Sequence, residues 1–150
     1  MKVKSTNGSE RGSALLEAAV TMLTLLVIVF AIFEAGRMLN IQQTLTNAAR
    51  EGARLSVLPA AGTGGVPTDT LPSVGTVQAR VQSFLSAAGI NGATATVNVD
   101  QSYPAGAPAG AVYSRVTVTV PYKIVSISMF KLLQVNLQGQ AKMRNETNTQ

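Results

Sequence analysis

The sequence predicts an α+β fold in which a long N-terminal helix crosses a membrane, continues as an amphipathic helix, and packs with one short helix and a small antiparallel sheet. An apolar run covers residues 18–33 and is interrupted only by Thr21 and Thr24. One-sided apolar spacing of three and four residues follows this run, and the C-terminal third alternates apolar and polar residues. The first two patterns indicate helix, and the third indicates strands.

The apolar run predicts a transmembrane helix over residues 13–34. A helix of this run would rise roughly 24 Å, which is less than the roughly 30 Å thickness of a bilayer's hydrocarbon core. Ala14 to Leu16 extend the helix, and this draws Glu17 towards the apolar layer. An ionisable side chain at that depth costs free energy and is a functional candidate by default. In the alternative interpretation, Glu17 reaches the membrane interface and has no partner.

Basic residues are more numerous before the apolar run than soon after it: Lys2, Lys4 and Arg11 against Arg37 and Arg50. This bias favours a cytoplasmic N-terminus and a C-terminal domain outside the membrane. A removed secretory signal fits less well than a permanent anchor, because no small-residue cleavage site follows the run. The small-residue junction is Gly12-Ser13, where cleavage would remove residues 1–12 as a leader and keep the apolar helix on the product.

Residues 35–58 are predicted to continue the same helix as an amphipathic segment. Ser13 is a suitable N-cap, and Pro59 ends the helix. Glu34 and Arg37, three residues apart, are predicted to form an ion pair where the helix leaves the membrane.

The amphipathic segment carries a helix seam, a row of apolar residues at spacings of 3, 4, 3, 4 and 3: Met38, Ile41, Leu45, Ala48, Gly52 and Leu55. Polar and charged residues occupy the other faces of the segment. Such a seam packs either against the chain's own C-terminal domain or against a neighbouring helix.

The rest of the chain predicts a small extracytoplasmic α+β domain over residues 76–144, reached through a Gly- and Pro-rich loop at residues 59–75. Its short helix is expected over Thr76 to Ala88, with Gly89 at its C-cap. Alternating residues predict three strands: around Ala95 to Val99, from Val112 to Lys123, and from Val135 to Met143. Pro121 favours an edge position or a bulge for the second strand. The segments Tyr103–Gly110 and 145–150 are expected to be flexible, while Ile124–Leu133 is ambiguous.

The residues argue against catalysis and against several kinds of ligand. The chain has no histidine and no cysteine, which removes the commonest general base and the thiolate metal ligands. It has no phosphate-binding loop, and Asp69 and Asp100 are predicted in separate loops. Its basic residues are scattered, which is not the pattern of a nucleic-acid site. We expect no enzyme activity, no cofactor, no metal and no small-molecule substrate; a membrane-tethered hydrolase would need a catalytic constellation that the sequence lacks.

Two blocks of the sequence resemble one known family. The first is Arg11-Gly12-Ser13-Ala14-Leu15-Leu16-Glu17, and the second runs from Thr46 to Arg54 with the sequence TNAAREGAR. Together they resemble the TadE-like family, minor pilins or pseudopilins of the tight-adherence (Flp, type IVc) pilus. The resemblance implies a pilin-like fold anchored in the inner membrane. It leaves three possibilities open: the chain enters an extracellular pilus, caps it, or stays in the membrane as an assembly factor.

The resemblance also implies a mechanism and a set of partners. A prepilin peptidase would cleave between Gly12 and Ser13, and Glu17 would then neutralise the new amine of Ser13. Other pilin or pseudopilin subunits, the inner-membrane assembly platform and membrane lipid would be the partners, in support of adhesion and biofilm formation. The competing hypothesis is an uncleaved single-pass membrane protein whose outer domain binds a ligand or a partner.

Overall fold

The computed structural model describes residues 7–60, 70–103, 112–124 and 134–145. Most of the predicted loop 59–75 lies outside these ranges. So do residues 104–110 of the predicted loop after Tyr103, the ambiguous segment after Ile124, and residues 146–150 of the predicted tail. The chain divides into two units, Met1–Arg37 and Met38–Gln150.

The fold is α+β, as the sequence predicts. Helix α1 spans Asn7–Val57 and helix α2 spans Val74–Ala87. A short 3-10 turn at Gly92–Thr94 leads into strand β1, Thr96–Tyr103. Strands β2, Tyr113–Lys123, and β3, Gln134–Arg144, complete an antiparallel sheet in the order β1-β2-β3.

Helix α1 begins earlier than the sequence suggested. Ser13 lies inside the helix and does not cap it, because the residues from Asn7 onwards are also helical. Ser13 becomes the first residue of the helix only if the preceding residues are removed.

Helix α2 has defined caps at both ends. Its N-cap is Ser73, whose hydroxyl accepts a hydrogen bond from the Thr76 backbone N–H at 3.2 Å. At the other end, the Ile90 N–H donates to the Leu85 carbonyl at 2.9 Å, and the Gly89 N–H donates to the Ser86 carbonyl at 3.1 Å. This is a Schellman motif, and it requires the left-handed φ of +78° at Gly89. The prediction that Gly89 ends this helix is therefore confirmed.

Pro121 lies in the central strand, so the expected edge position is wrong for β2 as a whole. Pro121 pairs with Asn136 of β3. The last pair between β1 and β2 is Thr96 with Thr119, so β1 has ended where Pro121 occurs. The missing N–H of proline is tolerated there because β2 has one strand neighbour at that position instead of two.

The predicted flexible tail is also wrong at its start. Asn145, the first residue of this segment, is buried with 5% of its surface exposed. The Asn145 backbone N–H donates to the Val112 carbonyl at 2.9 Å, which extends the pairing of β2 and β3 by one hydrogen bond.

The core lies between α1, α2 and one face of the sheet. Val116 and Val118 of β2 are fully buried, as are Val77, Val81 and Leu85 of α2. Alternation along β2 puts Arg115, Thr117 and Thr119 on the opposite face, as predicted.

Candidate functional site in the N-terminal helix

The predicted processing residues Gly12 and Ser13 are exposed on an early turn of α1. A Cβ added to Gly12 would meet no atom within 4 Å. Packing within the chain therefore does not require a glycine at this position. If glycine is required at position 12, the requirement would therefore come from another molecule that binds or cleaves this segment.

Glu17 is exposed on the next turn of the same helix. The threonine hydroxyls nearby bond within the helix: Thr21 donates to the Glu17 carbonyl at 2.8 Å, and Thr24 donates to the Val20 carbonyl at 2.9 Å. Such bonds let threonine occur in an apolar helix without an unsatisfied hydroxyl. The ion pairs of the described residues do not include the Glu17 carboxylate.

The segment after Glu17 exposes an unusual amount of apolar surface. Its larger side chains have between 41% and 73% of their surface exposed: Val20, Met22, Leu23, Leu25, Leu26, Val27, Ile28, Val29, Phe30, Ile32 and Phe33. Burying one such side chain is worth roughly 1.5–3 kcal/mol, so water is an unfavourable surrounding for this surface. The helix is long and apolar enough to cross a membrane, and this suggests a membrane anchor.

The predicted membrane-exit pair lies at the end of the first unit. Glu34 is half-buried and Arg37 is exposed. Their ion pair stays a prediction.

The helix seam packs inside the second unit. Leu45, Ala48 and Gly52 are buried, while Met38, Ile41 and Leu55 are partly buried against the same core. The buried surface is wider than the seam, because Ala49, Ala53, Ser56 and Val57 are buried as well.

Gly52 is one of the positions where the seam closely approaches its neighbours. A Cβ at this position would lie 2.5 Å from Cγ2 of Val81 and 3.2 Å from Cγ1 of Val116. The seam therefore meets α2 and β2 of its own chain, which is the first of the two interpretations that the sequence left open.

The opposite face of this part of α1 is polar and forms an open, shallow groove. The groove is lined by Leu39, Gln42, Gln43, Thr46, Asn47 and Arg50. The described ranges contain no group of three or more His, Cys, Asp or Glu side chains placed to hold a metal.

Residues 12–54 match the family model described as TadE-like protein. This part of the chain is similar to the TadE-like family, and the match covers less than a third of the sequence. The TadE-like family is associated with tight-adherence pilus systems. No curated protein and no solved structure matches the chain.

The TadE-like match covers the candidate site almost completely. It begins at Gly12 and includes Ser13, Glu17, the exit pair and every seam residue except Leu55. The sheet and α2 lie outside it. The resemblance seen in the two sequence blocks is therefore confirmed over the helix.

The edge of the core contains a polar cluster that the sequence does not predict. The Ser114 hydroxyl donates to Oδ1 of Asn145 at 2.6 Å, and Nδ2 of Asn145 donates to the Gln101 carbonyl at 2.8 Å. The Gln101 side chain in turn donates to the Pro72 carbonyl at 2.9 Å. These residues are distant in sequence, and nothing in the alternation of the strands predicts their contact.

Proposed function

We propose that this chain is a minor pilin, or pseudopilin, of a tight-adherence type IV pilus, with a role in pilus biogenesis, adhesion and biofilm formation. The observation that carries the proposal is the TadE-like match, which starts at Gly12 and runs through an exposed apolar helix. The role is structural and not enzymatic. It involves no cofactor, metal or small-molecule substrate.

Processing by a prepilin peptidase would take place between Gly12 and Ser13. A protease cleft binds its substrate in an extended form, whereas Gly12 lies in α1. Local unwinding is inexpensive here, because the site lies within the first turns of the helix and glycine is about 1 kcal/mol less favourable in a helix than alanine. A glycine without a side chain also avoids obstruction of the cleft.

After cleavage, the new amine of Ser13 would be a cation near the apolar layer. Glu17 lies four residues later, which is one helical turn. Its carboxylate can neutralise this amine in the same helix or in a neighbouring one, and the pair is favourable because an isolated charge in a medium of low dielectric is costly. The pairing would set the register of each subunit against the other pilin or pseudopilin subunits as it leaves the membrane.

The proposed location is the inner membrane, with the N-terminus in the cytoplasm and the C-terminal domain outside. The charge bias around the apolar run supports this orientation. The inner-membrane assembly platform would receive the processed subunit, and transfer into a pilus would replace lipid contacts of the apolar helix with contacts to other subunits.

The first test is the N-terminal residue of the protein purified from native membranes, read by intact mass and terminal sequencing. The proposal expects Ser13 as the first residue, and it expects Gly12→Phe to retain residues 1–12. Gly36→Phe is the matched control, because a Cβ at Gly36 also meets no atom within 4 Å. This variant should be processed normally.

Other starting residues would contradict the proposal. A wild-type protein that starts at Met1 would be an uncleaved single-pass anchor with an outer ligand- or partner-binding domain. That alternative also expects Glu17→Gln to be tolerated. A start after Ala35 would indicate a secreted protein without the apolar helix.

A further inference from the structure

The face of the sheet that points away from α1 has an ordered arrangement of side chains, and we call it the outer sheet face. Two rows of paired residues cross all three strands at its centre. One row is Asn98, Thr117 and Gln140, and the other is Thr96, Thr119 and Gln138. Both rows consist of amides and hydroxyls, so the centre of this face is uncharged and rich in hydrogen-bonding groups.

The outer sheet face is cationic at one end. In the next row, Asp100, Arg115 and Lys142 are paired across the strands, and Arg144 follows opposite Tyr113. Lys142 holds its Nζ 5.2 Å from the centre of the Tyr113 ring, and Arg144 is exposed.

The described carboxylates of the second unit do not cancel this charge. Glu51 pairs with Arg80 at 2.9 Å, and Asp100 lies 3.8 Å from Arg115. Each of these two acids is thus engaged with an arginine. Lys142 and Arg144 add positive charge at this end of the face, and Lys123 adds one positive charge at the other end. An anionic partner complements this end of the face.

The side chains of the outer sheet face disfavour several classes of anionic partner. Attachment to an anionic membrane typically uses apolar side chains that insert between lipids or a cluster of about four to eight Lys and Arg. The two central rows have no such apolar side chains, and the cationic end has fewer basic residues than such a cluster. A protein interface is typically built on an aromatic or apolar centre, which is also missing from these rows. Single-stranded nucleic acid needs aromatic rings for its bases, whereas the described ring on this face, Tyr113, is already covered by Lys142.

We propose that the outer sheet face binds an acidic polysaccharide. Carboxylates of the sugar chain would contact Lys142 and Arg144, while its hydroxyls would exchange hydrogen bonds with the amide and hydroxyl rows. This inference rests on the sheet alone and holds whether or not the chain enters a pilus.

The test measures binding of the full-length chain, in neutral-detergent micelles, to immobilised alginate, which is a linear polyuronate. Neutral dextran and double-stranded DNA serve as comparison surfaces. The double variant K142Q/R144Q should bind alginate roughly tenfold more weakly, because two exposed charge contacts are lost. The control R50Q/R54Q removes the same charge from the exposed side of α1 and should bind as the parent does.

A second variant tests the amide rows at constant charge. Asn98→Ala with Gln140→Ala should also weaken alginate binding, with an unchanged urea midpoint as evidence that the chain is folded. The proposal is overturned if the parent fails to bind alginate, or if dextran or DNA binds as tightly. Equal losses in K142Q/R144Q and R50Q/R54Q, or undiminished binding by the amide-row variant, would also overturn it.

Discussion

Asn145 shows, at the scale of single residues, how a polar side chain after the last strand becomes part of the core. It is 5% exposed, and both ends of its amide group are hydrogen-bonded. Its position in the triplet Asn145-Glu146-Thr147 matches a glycosylation acceptor, but the amide nitrogen that would carry the glycan donates to Gln101. In the folded chain this asparagine is a structural residue.

The substitution Asn145→Ala should lower the free energy of unfolding by about 2 kcal/mol, because it leaves the buried Ser114 hydroxyl and the partly buried Gln101 carbonyl without their partner. Urea unfolding followed by tyrosine fluorescence measures the change. Asn136→Ala is the control; Asn136 is exposed, and its loss should change stability by less than about 0.5 kcal/mol. Equal losses in the two variants would show that the hydrogen bonds of Asn145 contribute nothing.

At the scale of elements, the packing of α1 on the sheet depends on two glycines. Gly52 brings α1 against Val81 and Val116, and Gly139 of β3 brings the sheet against the backbone of α1 at Leu45. A side chain at Gly139 would meet the Leu45 carbonyl group and the Thr46 nitrogen, which are backbone atoms and cannot rotate away. The helix and the sheet can approach this closely only because β3 has no side chain there.

Gly139→Ala should therefore destabilise the second unit by about 3 kcal/mol, since the helix and the strand must separate to admit the methyl group. The urea midpoint of the full-length chain measures this loss. Gly75→Ala is the matched control because its Cβ would be 3.9 Å from the nearest atom, the Ser73 hydroxyl oxygen. This variant should be neutral or more stable by up to about 1 kcal/mol, since alanine favours a helix. A Gly139→Ala protein as stable as the parent would contradict the close approach.

At the scale of the whole molecule, the two parts of α1 have different surroundings. Its first part is apolar and exposed within the described chain, whereas its later part is buried by α2 and the sheet. The TadE-like match spans both parts. One helix thus provides an exposed apolar surface that suggests a membrane anchor, and it also packs into the core of a folded domain.

Glu17→Val should separate processing from assembly. The cleavage site is unchanged, so the protein from membranes should still start at Ser13. Pili on the cell surface, counted by electron microscopy, should decrease at least several-fold because the amine of Ser13 has lost its counter-charge. Thr24→Val is the control; its hydroxyl bonds only to the Val20 carbonyl of its own helix, and its loss should leave both readouts unchanged. Normal piliation in Glu17→Val would contradict the pairing mechanism.

Much of the fold is predictable because patterns within single segments of the sequence indicate its helices and strands. The apolar run and the seam spacing predict α1, Gly89 predicts the end of α2, and alternating residues predict the strands and their buried faces. The candidate site is likewise local: Gly12, Ser13 and Glu17 lie within six residues. Sequence alone therefore determined the helix, the strands and the segment for which we propose processing.

Tertiary structure decided what depends on contacts between distant residues. It placed β2 at the centre of the sheet, with Pro121 beyond the end of β1, and it buried Asn145 against Ser114. It also directed the seam towards its own sheet through the close approach of Gly139 to Leu45. These features depend on which surfaces come into contact in the folded chain. A periodic pattern along one segment shows which face of that segment is buried, but it does not show which other element covers that face.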